Sequence, residues 1–378
     1  MPEPFMPKSD TATVTINGRA ISHNAAIAQS LAPQAKLLSV IKANAYGHGI
    51  NEVSQQLTAS SVGFGVARLS EAIQLRESGC SKPIVVMSQL LKSENLNDYA
   101  HYQLTPVIHT DANAKPMAQA CLDNNLPYWL KMDTGMHRLG LTETNFKALG
   151  IHAEVIATHM HSADDLSDSS VDLQTSAFHR AAVNIRCAHF SLANSATLLR
   201  CENHQNYASW LQQHATGLVA KQEIIRPGIM LYGANPLNIC NPTTQQLQPA
   251  MTFSAPVIDL HRVRKGETVG YGQRWRADRD STIATVAAGY ADGYPRHARN
   301  GTPVLINGKP AKLAGTVSMD MIGVDVTDTY HEGSAIKVGD TAILWGDQLR
   351  VETIASYADT ISYTLLTGIS DRVKRVYH

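Results

Sequence analysis

Apolar and polar positions follow two different rhythms along this chain, and the change falls near residues 245–249. Before it, short apolar runs alternate with helix-like stretches. The runs lie at 36–41, 62–67, 83–88, 104–109, 127–132, 154–159, 189–192 and 223–229. Between them, 69–78 (LSEAIQLRES) places Ala72, Ile73 and Leu75 on one helical face, with Gly79 as a stop signal. Segments 51–58 and 172–187 read as helices too. Eight strand-then-helix units are the number that closes a (β/α)₈ barrel. The rival open doubly wound sheet lacks a G-x-G-x-x-G after the first strand.

After Met251 the texture becomes all-β. Alternation at 255–263 is followed by a turn at Arg264-Lys265-Gly266-Glu267, and a further strand is expected at 282–287. Val304–Ile306 would enter a hairpin at Asn307-Gly308, a pair suited to two successive left-handed residues. Segments 335–338 and 341–345 read as strand, turn, strand. The expected fold is therefore α/β: an N-terminal TIM-type barrel over 11–246, then a mostly-β domain over 247–378, with residues 1–10 packing beside the second.

Composition narrows the function classes. Lys plus Arg and Asp plus Glu each number 32, so formal net charge is zero, against the basic surplus of a nucleic-acid binder. No apolar stretch approaches a membrane span, and the polar, proline-bearing start does not resemble a secretory signal. Five scattered cysteines without a C-x-x-C pair suggest reduced thiols in a cytoplasmic protein and no metal site.

In a barrel, chemistry collects where strands end. Those ends supply Lys42, Lys131, Asp133, Arg138, His159, Asn194, Ser195, Arg226, Gly228 and Ile229. The set holds cations, hydroxyls and glycine without a carboxylate pair, which suits an anionic ligand. Lys42 closes an apolar run; a partly dry amine has a lowered pKa and becomes nucleophilic. Taken singly, each has a blander reading: a snorkelling lysine, structural ion pairs for Arg138 and Arg226, loop capping for Ser195, and a core histidine for His159.

The order of these residues is more specific. The segment Ile41-Lys42-Ala43-Asn44-Ala45-Tyr46-Gly47-His48-Gly49 closely resembles the cofactor-attachment motif of alanine racemases. Segments 131–140 (KMDTGMHRLG), 192–196 (LANSA) and 226–233 (RPGIMLYG) also resemble that family. So do 269–272 (VGYG), 289–293 (GYADG), 318–320 (SMD) and 361–363 (ISY), and the resemblance covers nearly the whole chain. Ser318 stands where some members carry cysteine, and Pro227 where some carry phenylalanine.

The resemblance implies a pyridoxal 5′-phosphate (PLP) enzyme that interconverts L- and D-alanine, to supply D-alanine for peptidoglycan or to catabolise it. Lys42 would hold PLP covalently. Tyr46, Asn194, Ser195, Gly228, Ile229 and Tyr363 would bind the cofactor, mostly at its phosphate. Arg226 would face the pyridine nitrogen and His159 would support the ring. Tyr271, from the partner in a homodimer with shared sites, would be the second acid–base group. Arg138, the Met319 backbone and Tyr290 would shape the substrate side, and Lys131 matches a lysine that is carbamylated in family members. Alternatives are a racemase of another small amino acid such as serine, a decarboxylase of similar plan, or a PLP-binding homeostasis protein. The about 130 residues after Leu247 argue against the last, since a barrel alone would be shorter.

Overall fold

The computed structural model describes residues 10–149, 153–185, 187–200, 207–214, 216–218, 221–330 and 336–378. Two compact units emerge: one takes residues 21–45 and 49–247, the other residues 1–20, 46–48 and 248–378.

The chain opens with β1 (Thr13–Ile16). The eight strands of the larger unit follow: β2 (Lys36–Val40), β3 (Gly63–Val66), β4 (Ile84–Val86), β5 (Leu104–Ile108), β6 (Trp129–Lys131), β7 (Val155–Ala157), β8 (His189–Ser191) and β9 (Gln222–Ile225). All pair in parallel with their sequence neighbours, and β2 pairs with β9 to close the barrel. Leu38, Val85, Val107, Trp129, Val155, Ala157 and Ile224 meet in its interior as one buried cluster, with Met87 packed against it. Strands buried on both faces read as continuous apolar runs, which is why the sequence showed runs here without alternation.

Several expected boundaries move. The eighth barrel strand ends at Ile225, four residues short of the expected run, which extended through Gly228 to Ile229. Pro227 has no N–H to give the ladder, and Ile229–Tyr232 turns into a 3₁₀ helix. Arg226 keeps a single bridge to Asn194. The first barrel strand stops at Val40, before Lys42. The third expected helix runs Ser170–Ala182.

The smaller unit contains β10 (Met251–Val263), β11 (Thr268–Val269), β12 (Trp275–Arg276), β13 (Ser281–Val286), β14 (Pro303–Ile306), β15 (Lys309–Leu313), β16 (Ile322–Asp325), β17 (Thr341–Trp345) and β18 (Lys374–Tyr377). β11 and β12 form a small ribbon; the others join an eight-stranded sheet in the order β13-β16-β15-β14-β17-β10-β1-β18. Asn307 and Gly308 both take left-handed backbone angles, φ 52° and 73°, in the expected hairpin between β14 and β15. Trp345, Phe253 and Tyr294 fill its core, with ring centroids 4.7 Å apart for Phe253–Trp345 and 6.3 Å for Tyr294–Trp345.

The N-terminal strand β1 lies between β10, antiparallel, and β18, parallel. Residues 11–20 thus fold with the C-terminal sheet, whereas the expected barrel segment began at 11. The packing expected for residues 1–10 lies, except for Asp10, outside the described residues. The strand expected at 335–338 is not formed at 336–338: Asp340 N–H donates to the Lys337 carbonyl and its carboxylate accepts from Lys337 N–H, which makes this segment a turn. Residue 335 lies outside the described residues.

Candidate active site

The ends of the barrel strands gather nine of the expected residues in one unit: Lys42, Lys131, Arg138, His159, Asn194, Ser195, Arg226, Gly228 and Ile229. Lys42 follows β2 by two residues and opens an unusual turn. Ala43, Asn44, Ala45 and Tyr46 all have φ 53°, a left-handed helical turn built without glycine. Such a conformation costs roughly 1–2 kcal/mol per residue. It is held by Ala45 N–H to the Ile41 carbonyl at 2.9 Å, Gly49 N–H to the Asn44 carbonyl at 3.0 Å, and Ile50 N–H to Asn44 Oδ1 at 2.9 Å. Strain concentrated in the four residues after Lys42 marks a segment whose geometry the surrounding fold over-determines.

The Lys42 amine is partly buried, and desolvation lowers its pKa, assisted by the charges of Arg138 and Arg226 and opposed by Glu71. Lys131 is pushed down to about 8, chiefly by burial and then by Arg226 and Arg138. Four cations therefore sit within one another's fields. His159 responds to the same environment. Burial, then Arg226 and Lys131, holds its pKa well below the ordinary value, so the ring is neutral near neutral pH. Arg226 Nη1 lies 3.4 Å from His159 Nδ1. With Nδ1 accepting, the ring proton belongs on Nε2.

Arg226 is the most firmly placed of the set. Its Nε donates to Ser191 Oγ at 2.7 Å; Nη2 donates to the Thr158 carbonyl at 2.6 Å and to the Leu192 carbonyl at 3.3 Å. Burial lowers its pKa to about 10, still well above neutrality. Three residues earlier, Glu223 is buried on the other face of the strand. Its Oε1 accepts from Tyr207 Oη at 2.7 Å and Ala193 N–H at 3.2 Å, and burial pushes its carboxyl up to about 7.

Next to Arg226 lies a cup of backbone donors. Ser195 Oγ accepts from Gly228 N–H at 2.9 Å and Met230 N–H at 3.3 Å. Asn194 Oδ1 caps the helix Ser195–Leu199 by accepting from Thr197 N–H at 2.9 Å. A hydroxyl, the main-chain N–H groups around Gly228 and a helix start beside an arginine match an anionic group such as a phosphate ester.

The remaining five expected residues belong to the smaller unit. Tyr46 and Tyr363 have ring centroids 6.1 Å apart. Tyr290 N–H donates to the Ser318 carbonyl and Ala291 N–H to the Met319 carbonyl, which joins Tyr290 and Met319 in one pair of turns. Arg372 clamps those turns, donating from Nε to Asp292 at 2.7 Å and from Nη2 to Asp320 at 2.6 Å. Tyr271 is 70% exposed, and its carbonyl accepts from Thr316 Oγ1 at 3.0 Å. Sequence reasoning missed the residues that hold these groups: Glu71, Thr158, Ser191, Glu223 and Arg372. Only Glu71 had a legible signal, as a carboxylate in the first turn of an expected helix. No metal-binding cluster of His, Cys, Asp or Glu occurs among the described residues.

The chain is similar to known proteins over nearly its full length. The family model described as alanine racemase, N-terminal domain, matches residues 16–236, and that of the alanine racemase C-terminal domain matches residues 250–377. An alanine racemase of Chromohalobacter salexigens is 37% identical over 367 residues, covering 95% of each chain. One from Pectobacterium atrosepticum is 37% identical over 376 residues, covering 97% of this chain and 98% of that one. Among solved structures, biosynthetic alanine racemase from Pseudomonas aeruginosa superposes with a TM-score of 0.85 at 36% identity, covering 98% of this chain and 100% of that one. Alanine racemase from Bartonella henselae, with covalently bound pyridoxal phosphate, gives 0.85 at 28% identity, covering 98% and 100%. With both family models matched in order across almost its full length, this chain belongs to the alanine racemase family.

Proposed function

We propose that this chain interconverts L- and D-alanine in the cytoplasm, with PLP held on Lys42 and with Lys42 and Tyr271 as the two proton carriers. The observation that supports it furthest is the Lys42 amine, half-buried at the end of a barrel strand with Lys131, Arg138 and Arg226 close enough to lower its pKa or to share its field. The free thiols of Cys80, Cys121, Cys187 and Cys240 agree with a reducing compartment.

The residues fit the cofactor. Lys42 would hold it, Arg226 would face its ring nitrogen, and His159 would lie against the ring. Ser195, Gly228 and Ile229, with Tyr46 and Tyr363, would take the phosphate, and Asn194 fixes the turn that carries Ser195. A cluster of cations with a hydroxyl and main-chain donors suits a dianionic phosphate far better than an empty cavity would. When bound, PLP supplies an electron sink that acidifies the substrate Cα–H.

The protein's own groups do the rest. Racemisation needs a proton taken from one face of Cα and another delivered to the opposite face. Lys42 Nζ, when not bonded to the cofactor, would be the base on one face, its pKa lowered by burial. Arg226 stays charged near neutrality and can only donate, so a ring nitrogen facing it remains an acceptor. Arg226 would thereby moderate the electron withdrawal and disfavour side reactions. Lys131, down to about 8, has an appreciable neutral fraction near pH 8, the form that reacts with CO₂ to give a carbamate bracing Arg138. Tyr290 and the Met319 backbone would bound a small substrate.

Tyr271 would act from a second copy in a homodimer. The 70% exposure of Tyr271 leaves its ring available to a second copy. The deciding experiment incubates purified protein with L-alanine in D₂O. Deuterium incorporation at Cα together with D-alanine, both lost in Lys42→Ala, is expected. Cofactor on Lys42 with neither product, for alanine or serine, would sink the racemase reading.

A further inference from the structure

We infer that Glu71 is the positioning residue of Lys42, the group that fixes the left-handed turn on which the lysine stands. This rests on the proposed role of Lys42. Glu71 lies in the first turn of the helix Leu69–Glu77 that follows β3. Its Oε2 does the ordinary work of such a residue, accepting from Ala67 N–H at 2.8 Å and Arg68 N–H at 3.0 Å. Helix capping therefore uses one oxygen. The other, Oε1, crosses to the neighbouring strand's loop and accepts from Ala43 N–H at 2.7 Å.

Ala43 is the residue directly after Lys42 and the first of the four at φ 53°. Ala43 N–H enters neither a strand ladder nor a helix, and the Glu71 carboxylate takes it from outside the turn. A charged acceptor on three main-chain donors is strong, and it stitches the loop after β2 to the loop after β3. Glu71 thereby fixes the height and direction of the Lys42 Cα. Its negative charge also acts on the amine, opposing the lowering that burial, Arg138 and Arg226 impose. Other groups near the turn do not substitute for it: Asn44 Oδ1 holds Ile50, at the far end of the turn.

The test compares the full-length PLP-loaded protein with Glu71→Gln and Glu71→Ala. Three quantities are read: amide hydrogen exchange of the peptide containing residues 42–46, the rate at which hydroxylamine strips PLP, and the pH profile of kcat, which reports the substrate complex in which the Lys42 amine is free. Both variants should speed exchange in that peptide while peptides of β6 to β9 keep their protection, and both should speed stripping. Loss of hydrogen bonds to a charged group should lower kcat about 10- to 100-fold in Glu71→Ala, with KM changed little. In Glu71→Gln, which retains one acceptor oxygen, removal of the negative charge should move the acid limb of the profile to lower pH.

Unchanged exchange overturns the contact. Faster exchange with wild-type kcat, stripping rate and pH profile overturns the positioning role and leaves Glu71 a helix cap. A wild-type protein with PLP on Lys42 but no racemase activity overturns the functional reading alone, since exchange and stripping still decide for or against Glu71.

Discussion

Glu223 offers a sharp test of the electrostatics beneath Arg226. The perturbation is Glu223→Gln. The carboxyl is buried, accepts from Tyr207 Oη at 2.7 Å and Ala193 N–H at 3.2 Å, and has its pKa raised to about 7 from an ordinary 4.5. Burial is the main cause, and hydrogen bonds and Arg226 oppose it only in part. A carboxyl whose folded pKa is raised favours the folded state fully below its unfolded pKa, near 4.5. That contribution fades as pH rises through about 7, because the unfolded chain ionises first. The difference of two to three units corresponds to about 3 kcal/mol at 1.36 kcal/mol per unit. Glutamine keeps an acceptor for Tyr207 and Ala193 but cannot ionise. The variant should therefore gain on the wild type between pH 5 and pH 8. At roughly 2.1 cal/mol/K per residue the gain is about 4 °C in Tm if the chain melts as one unit. The assay is differential scanning calorimetry of both proteins, PLP-loaded, at half-unit steps across that range. A Tm offset that does not change with pH would refute the reasoning, because it would mean that Arg226 and the hydrogen bonds fully offset burial.

Three further outcomes follow from other parts of the site. Gly140 has φ 145°, and a Cβ there would come within 2.3 Å of Asp133 N, a backbone atom. Gly140→Ala should displace the 131–140 loop and cut kcat/KM at least about tenfold, equal to ~1.4 kcal/mol; wild-type kinetics would contradict it. Carbamylated Lys131 should give a ¹³C signal after incubation with labelled bicarbonate, lost in Lys131→Arg. A signal persisting in that variant would assign the carbamate elsewhere. Mixing Lys42→Ala with Tyr271→Phe protein under conditions that exchange subunits should restore up to about one complete site per mixed dimer; no recovered activity would refute the shared site.

The barrel was legible because its strands are buried on both faces and because Gly79 and similar stops punctuate the helices between them. The hairpin at Asn307-Gly308 was legible because only a few residue pairs accept two positive φ angles in succession. Motif order marked Lys42, Arg226 and Ser195, and the structure joins these in one unit. Residues that act by holding others carried little sequence signal. Ser191, Thr158 and Glu223 gain their roles from parallel strands tens of residues apart that become neighbours only on closure.

By itself, then, the sequence determined local matters: element types, hairpin chemistry, and the residues that carry reactive groups. Each depends on side-chain character and spacing within a few positions. Tertiary structure alone decided the rest. It placed β1 in the C-terminal sheet, between strands more than 200 residues away, because strand pairing is non-local and any half-buried edge is a possible partner. It set Ala43–Tyr46 in a left-handed turn, closed by main-chain bonds from Ala45 to Ile41 and from Gly49 to Asn44 and joined by Glu71, which arrives from the next βα loop and accepts the Ala43 N–H. It also lowered the pKa of Lys42 and Lys131, since desolvation and neighbouring charge exist only after the chain has folded.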